Sequence, residues 1–274
     1  MNAVWGPALY ALFLWWFGTG VALLLGRSAR PRAVIGASLL AALSIAAIAA
    51  TAQDASLFGA CVAFTAAIAM WGWHEVTFLT GVITGPRRAA CPPGARGWRR
   101  FRYAAQTLIH HEIALAANAA ALFLWVGGAA NPVAFWTFAA LWILRLSVKF
   151  NIFLGAPNVA DEFLPDDLRY FTSYFSPRPM NLLFPLSVTV GTVAAGGLIA
   201  HAAVVAETDF AASAQALIGV LIALGTLEHW FLVLPFREAA LWRWYIDTRA
   251  RRRAQRADKA LRLAPLDAPA VLGR

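Results

Sequence analysis

The sequence predicts an all-α fold, an integral membrane bundle of about seven transmembrane helices with its N-terminus outside and its C-terminus inside. Three observations carry that prediction. Of the 274 residues 60% are hydrophobic and the mean hydropathy is +0.62, a composition of the membrane class. The apolar residues fall into seven blocks of roughly 20 residues, enough for helix to cross a hydrocarbon core about 30 Å thick. Finally, all 23 Lys and Arg lie in or beside alternate gaps between those blocks, as the inside preference of basic residues demands. Barrel strands are excluded because the blocks are too long and do not alternate.

The first block, about 3 to 25, is expected to remain as a helix: Met1 to Trp5 carries no basic segment, and Arg27, Arg30 and Arg32 follow the apolar run instead of preceding it. The second covers about 34 to 52 and the third 57 to 84. Next comes GPRRAACPPGARGWRRFRY (85–103), whose six Arg, three Pro and three Gly predict an irregular inside connection that contacts lipid headgroups. Blocks four and five cover 104 to 126 and 132 to 154. Within the second inside connection, 155–182, Pro165, Asp166 and Asp167 predict the start of a short helix carrying Leu168, Phe171, Tyr174 and Phe175, packed as a lid under the bundle. Blocks six and seven, 183 to 206 and 211 to 235, complete a transmembrane domain of residues 1–236. The remainder, 237–274, is a basic tail in which Arg249, Arg251, Arg252 and Arg253 follow Trp242, Trp244 and Tyr245, a pattern for anchoring at anionic lipid. Arg87 to Arg102, Arg145, Lys149, Arg169 and Arg178 supply the other inside charges, and the gaps at 53–56, 127–131 and 207–210 hold none. One helix more or fewer would break this alternation. The net charge of +9 therefore belongs to the membrane border and does not indicate nucleic acid. Cys61 and Cys91 fall at different depths, too far apart to bridge.

Ionisable residues inside transmembrane helices are costly, and each is a functional hypothesis by default. Block three holds WGWHEVTF with His74 and Glu75, block four IHHE with His110, His111 and Glu112, block five LRLSVKFN with Arg145, Lys149 and Asn151, and block seven LEHWF with Glu228 and His229. Measured from the basic ends at about 1.5 Å per residue, the His and Glu of blocks three, four and seven and Arg145 of block five lie roughly 15 Å deep, so four helices place polar groups in one layer of the inner leaflet. His201, near the outer end of block six, is left out and reads as an ordinary hydrogen-bonded residue.

Three readings of the layer compete. His74, Glu75, His110, His111, Glu112, Glu228 and His229 could ligate iron, zinc or another transition metal in a bundle core, with Arg145, Lys149, Asn151, Asp161 and Glu162 as supporting or substrate-binding groups. A single His could instead hold the central metal of a tetrapyrrole. Or the layer is an ion-paired network, with Glu75, Glu112 and Glu228 neutralised by Arg145, Lys149 and the His. Adjacent His-Glu and Glu-His pairs point about 100° apart on a helix, which departs from the spacings of the known two-ligand helical motifs. The chain contains no phosphate-binding glycine loop, nucleophile elbow or HExxH sequence, and no internal repeat that would indicate an inverted-repeat transporter.

The segments WWFGTG (15–20), WGWHEVTFLTG, TGPRRAACPPGARGWRRFRY, TLIHHE, NIFLGAPN, EFLP and RPMNLLFPLS together resemble the photosynthetic complex assembly protein 2 family (PuhE) of anoxygenic phototrophic bacteria. The resemblance spans most of the chain and ends near residue 250. It implies a multi-pass protein of the bacterial inner membrane, in which the charge alternation puts the N-terminus in the periplasm and the C-terminus in the cytoplasm. The implied role is assembly of the photosynthetic reaction centre and core antenna, with effects on bacteriochlorophyll supply. Expected partners are reaction-centre or antenna subunits, pigment-synthesis enzymes and anionic membrane lipids. It implies no catalytic residue. The layer is then expected to hold a metal or to contact a bacteriochlorophyll precursor, and the rival expectation is a membrane-bound, metal-dependent oxidative enzyme of pigment or quinone metabolism, with a di-iron centre as one form.

Overall fold

A computed structural model describes residues 3–25, 30–159 and 164–234. Seven helices there are long and apolar enough to cross a membrane: α1 (Trp5–Leu25), α2 (Arg30–Thr51), α3 (Leu57–Leu79), α4 (Gly97–Val126), α5 (Val133–Leu154), α6 (Leu183–Val204) and α7 (Asp209–Phe231). All regular structure among the described residues is helical. The chain is thus a multi-pass membrane bundle. The basic tail, including Arg249, Arg251, Arg252 and Arg253, lies outside the described residues, as do Asp161 and Glu162.

The helix ends follow from local chemistry. Ser56 caps α3 by accepting from Gly59 N at 3.0 Å, and Thr208 caps α7 by accepting from Ala211 N at 3.1 Å, each satisfying an otherwise orphaned amide. Asp209 adds negative charge to the first turn of α7. The third helix stops five residues before its apolar block does. Gly81, at φ +72°, lets Gly81 N reach Phe78 O and Val82 N reach Thr77 O (2.8 and 2.9 Å), the double closure of a left-handed glycine cap. Hydropathy does not register this stop, because Val82 and Ile83 remain apolar beyond it.

The predicted loop 85–103 needs correction at its second half: α4 begins at Gly97, so Gly97–Tyr103 is helical. Proline is confined to the first half of that segment, and arginine is a good helix former. Positive charge marks the membrane border here, not the end of a helix. The short helix predicted from Pro165 is present as a 3-10 helix, Asp166–Tyr174, with Leu168, Phe171 and Tyr174 buried.

Helices α3, α5 and α7 pack mutually at the centre. Helix α1 lies on α3 and α7, α2 on α3, α4 on α5 and α3, and α6 chiefly on α7. The apolar core occupies the half of the bundle away from the arginine-rich ends, around Phe64, Leu115, Leu122, Phe138, Leu217 and Leu221. Small residues set the closest helix approach: a Cβ on Gly191 would sit 2.2 Å from Thr226 Oγ1, as expected where packing in place of water exclusion holds helices together.

The two long connections interlock beneath this bundle. Arg100 donates to Phe153 O (3.3 Å), Tyr174 O (2.5 Å) and Ser176 Oγ (2.8 Å), Arg87 Nε donates to Tyr174 Oη (2.8 Å), and Cys91 N donates to Ser173 Oγ (2.8 Å). The chain at 84–87 runs against the backbone of α4, with His111 N donating to Thr84 O (3.0 Å) and Arg87 N to Gln106 O (3.1 Å). A Cβ on Gly85 would lie 2.2 Å from Gln106 O, a clash with backbone that no rotamer relieves. Gly85→Ala is therefore expected to cost about 1–3 kcal/mol, read as a lower melting temperature of the detergent-purified protein. An unchanged melting curve would mean that the segment is not held against α4.

Candidate functional site

The polar layer divides into three clusters and a separate set of contacts around His229, and the division follows the 100° turn between adjacent helical residues. Glu75 and Glu228 turn toward one guanidinium: Arg145 Nη2 lies 3.7 Å from Glu75 Oε2, and Nη1 lies 3.5 Å from Glu228 Oε2. Trp15 Nε1 donates to Glu228 Oε1 at 3.0 Å. One arginine on α5 thereby joins acids on α3 and α7, with α1 tied in through its indole. In the second cluster Lys149 Nζ approaches Glu112 Oε1 at 2.5 Å, and Trp142 Nε1 donates to Glu112 Oε2 at 3.1 Å, closing α4 onto α5. Arg145 and Lys149 are one turn apart on the same face of α5.

The histidines form separate contacts. His229 is buried, its Nδ1 2.7 Å from Gly225 O and its Nε2 2.9 Å from Ser147 Oγ. Ser147 continues to Ser187 on α6 (2.9 Å), which Asn151 Nδ2 also meets at 3.2 Å. Asn181 then anchors the start of α6: its amide donates to Asn151 Oδ1 (3.0 Å) and Gly155 O (2.7 Å), while its carbonyl accepts from Leu183 N (2.8 Å). His74 and His111 make the third cluster. Their ring centroids are 6.3 Å apart, they are 2% and 1% exposed, and Asn118 Nδ2 lies 2.8 Å from His74 Nε2. Phe78 packs on His111 at 4.7 Å, and Phe171 of the 3-10 helix packs on Phe78 at 5.4 Å, so the predicted lid does cover this pair. Outside the spans, burial raises the Tyr170 phenol above its ordinary pKa, with the Thr84 hydroxyl and Arg88 acting in the opposite direction.

Of the seven candidate ligands, His110 alone is exposed on its helix; the other six lie within the bundle, five of them split between the three clusters and His229 on Ser147. Among the described residues no three His, Cys, Asp or Glu side chains converge to hold an ion. The glutamates are taken up by Arg145 and Lys149. The His pair is where the layer is not closed: Nδ1 of both His74 and His111 is buried without a hydrogen-bond partner among the described residues.

Sequence reasoning restricted to ionisable groups did not find Trp15, Trp142, Asn118, Ser147, Ser187 or Asn181. Helical periodicity offered a signal for two of them: Asn118 is two turns from His111, and Ser147 one turn from Asn151, each on the same face. The others required knowledge of which helix is the neighbour. His201, on α6, pairs with Gln215 Oε1 of α7 through Nδ1 at 2.8 Å, apart from the layer. Cys61 and Cys91 are free thiols.

Comparison with known proteins adds the following. A protein of Rhodobacter capsulatus described as an uncharacterized 30.4 kDa protein in the puhA 5′ region is 43% identical over 257 residues, covering 90% of this chain and 93% of the relative. No solved structure matches. Residues 1–253, which include the whole seven-helix bundle, match the family described as protein of unknown function (DUF3623), and the chain belongs to that family.

Proposed function

We propose that this protein is an assembly factor for the photosynthetic reaction centre and its core antenna, acting from the bacterial inner membrane. The observation that carries the reading is the genetic position of its relative. A protein 43% identical along nearly its full length lies in the 5′ region of puhA, and the motifs from WWFGTG to RPMNLLFPLS resemble the assembly-protein family of the same systems.

The geometry supports a scaffold. The charged residues of the layer are spent on one another, and the resulting links tie α1, α3, α4, α5 and α7 at a common depth. Such a layer holds a bundle in one arrangement, because an unmatched partner would leave a charge in hydrocarbon. The buried His74–His111 pair is the part of the layer chemically available to a small ion. No observation favours the oxidative-enzyme reading, since its ligands are not gathered among the described residues.

Deletion of the gene in a phototrophic host tests the proposal. Mature reaction centre and core antenna, read from their near-infrared absorption in isolated membranes, are expected to fall severalfold while respiratory membrane proteins stay constant. Normal levels of both pigment complexes would refute it.

A further inference from the structure

At the arginine-rich end of the bundle, away from the polar layer, a cleft of about 720 Å³ opens between the start of α4 and the segment after the 3-10 helix. Arg96, Arg100 and Arg178 line it, together with Ser173 and Ser176. None of these arginines forms an ion pair with a carboxylate among the described residues. Arg100 spends its donors on two carbonyls and a hydroxyl, which hold it in place but do not cancel its charge. Arg96 precedes α4 without a side-chain cap on that helix, so the partial positive charge of the helix start adds to the same space. Three uncancelled guanidiniums converging on a cleft select an anion with several acceptor oxygens, and phosphate has the geometry that arginine grips best.

The surroundings indicate where that phosphate comes from. At 30 residues α4 is about 45 Å long, exceeding the hydrocarbon core by roughly ten residues, and its arginines put the excess at the Gly97 end, in the headgroup layer. Beside the cleft, Trp98 is 71% exposed and stacks on Phe101 at 5.0 Å, which in turn stacks on Phe150 at 6.4 Å. An aromatic ridge of this kind is at home where headgroup meets acyl chain. A free phosphate ion would have no use for it.

We propose that this cleft binds the phosphate headgroup of an anionic phospholipid, with the Trp98–Phe101–Phe150 ridge against the upper part of its acyl chains. The test uses the full chain purified in neutral detergent, titrated with phosphatidylglycerol or phosphatidylcholine and read by native mass spectrometry. Phosphatidylglycerol is expected to bind in preference to phosphatidylcholine. Arg96→Gln with Arg178→Gln, two exposed positions outside the interlocking contacts, is expected to weaken phosphatidylglycerol roughly thirtyfold. Arg30→Gln with Arg32→Gln, at a different connection, is expected to change it less than about threefold.

Equal losses in the two double variants would overturn the proposal in favour of diffuse surface charge. So would equal binding of the two lipids, or displacement of phosphatidylglycerol by millimolar inorganic phosphate, which would mark a free-anion site. Should the glutamine variant fail to fold, Arg96→Lys with Arg178→Lys keeps the charge but loses the forked grip. It is expected to weaken phosphatidylglycerol by roughly threefold or more, and unchanged binding would count against the site.

Discussion

Arg145→Met is expected to destabilise the protein by about 3 kcal/mol, the scale of an unmatched charge at membrane depth. The substitution preserves side-chain length and bulk but leaves Glu75 and Glu228 facing the place where one guanidinium bridged them. Trp15 still donates to Glu228, but one indole N–H cannot offset a full charge. For a chain of this size the loss corresponds to a fall in melting temperature of roughly 6–12 °C. Rescue is the distinguishing readout: Glu75→Gln and Glu228→Gln added to Arg145→Met should return most of the lost stability, since replacing every member of a buried ionic network costs far less than removing one. If the triple variant melts no higher than Arg145→Met, the arginine acts through packing and the bridge is not the reason for its presence.

Lys149→Met is expected to be nearly as damaging, about 2.5–3.5 kcal/mol, because Glu112 keeps only the Trp142 N–H. Glu112→Gln in the same chain should restore stability, as the neutral amide still accepts from Trp142. The two ion-pair clusters share no side chain, but Arg145 and Lys149 are i, i+4 neighbours on α5, so the costs of Arg145→Met and Lys149→Met are expected to depart from additivity by about 0.5 kcal/mol or more. A combined variant that is strictly additive in the same melting assay would show that the clusters behave independently. These two substitutions carry the largest effects expected at single residues because each leaves a carboxylate in the spans without its cationic partner.

The extent to which the sequence disclosed this site can be followed residue by residue. Glu75, Arg145 and Glu228 are more than 150 positions apart at the extremes, yet each is assigned a common depth simply by counting from the nearest basic cluster, and the structure brings all three together. The divergence of adjacent pairs was legible too: His74 and Glu75 had to face different neighbours, as did Glu228 and His229. Arg145 and Lys149 were legible as candidate partners, but which glutamate meets which cation was not. That Glu112 meets Lys149 while His111 meets His74 depends on which neighbours flank α4 and how it is rotated against them, and the sequence of one helix does not name its neighbours. The start of α4 at Gly97 was hidden for a related reason. Hydropathy reports where hydrocarbon ends, and this helix continues past that point as Arg-rich helix. The cap at Gly81 is the converse case, helix ending while the sequence is still apolar.

By itself the sequence determined the number of spans and their approximate bounds, and it put the charged groups of the spans at one level along the helices, because those are one-dimensional quantities: hydropathy summed over about 20 residues and a constant rise of about 1.5 Å per residue. The tertiary structure alone decided which helices are neighbours and which face each turns inward. It thereby decided that the glutamates are spent on Arg145 and Lys149, that the His74–His111 pair is left with unpartnered Nδ1 atoms, and that the two long connections interlock around Arg100. Side-chain partnership depends on helix rotation and lateral packing, and these are set by contacts between residues far apart in the chain.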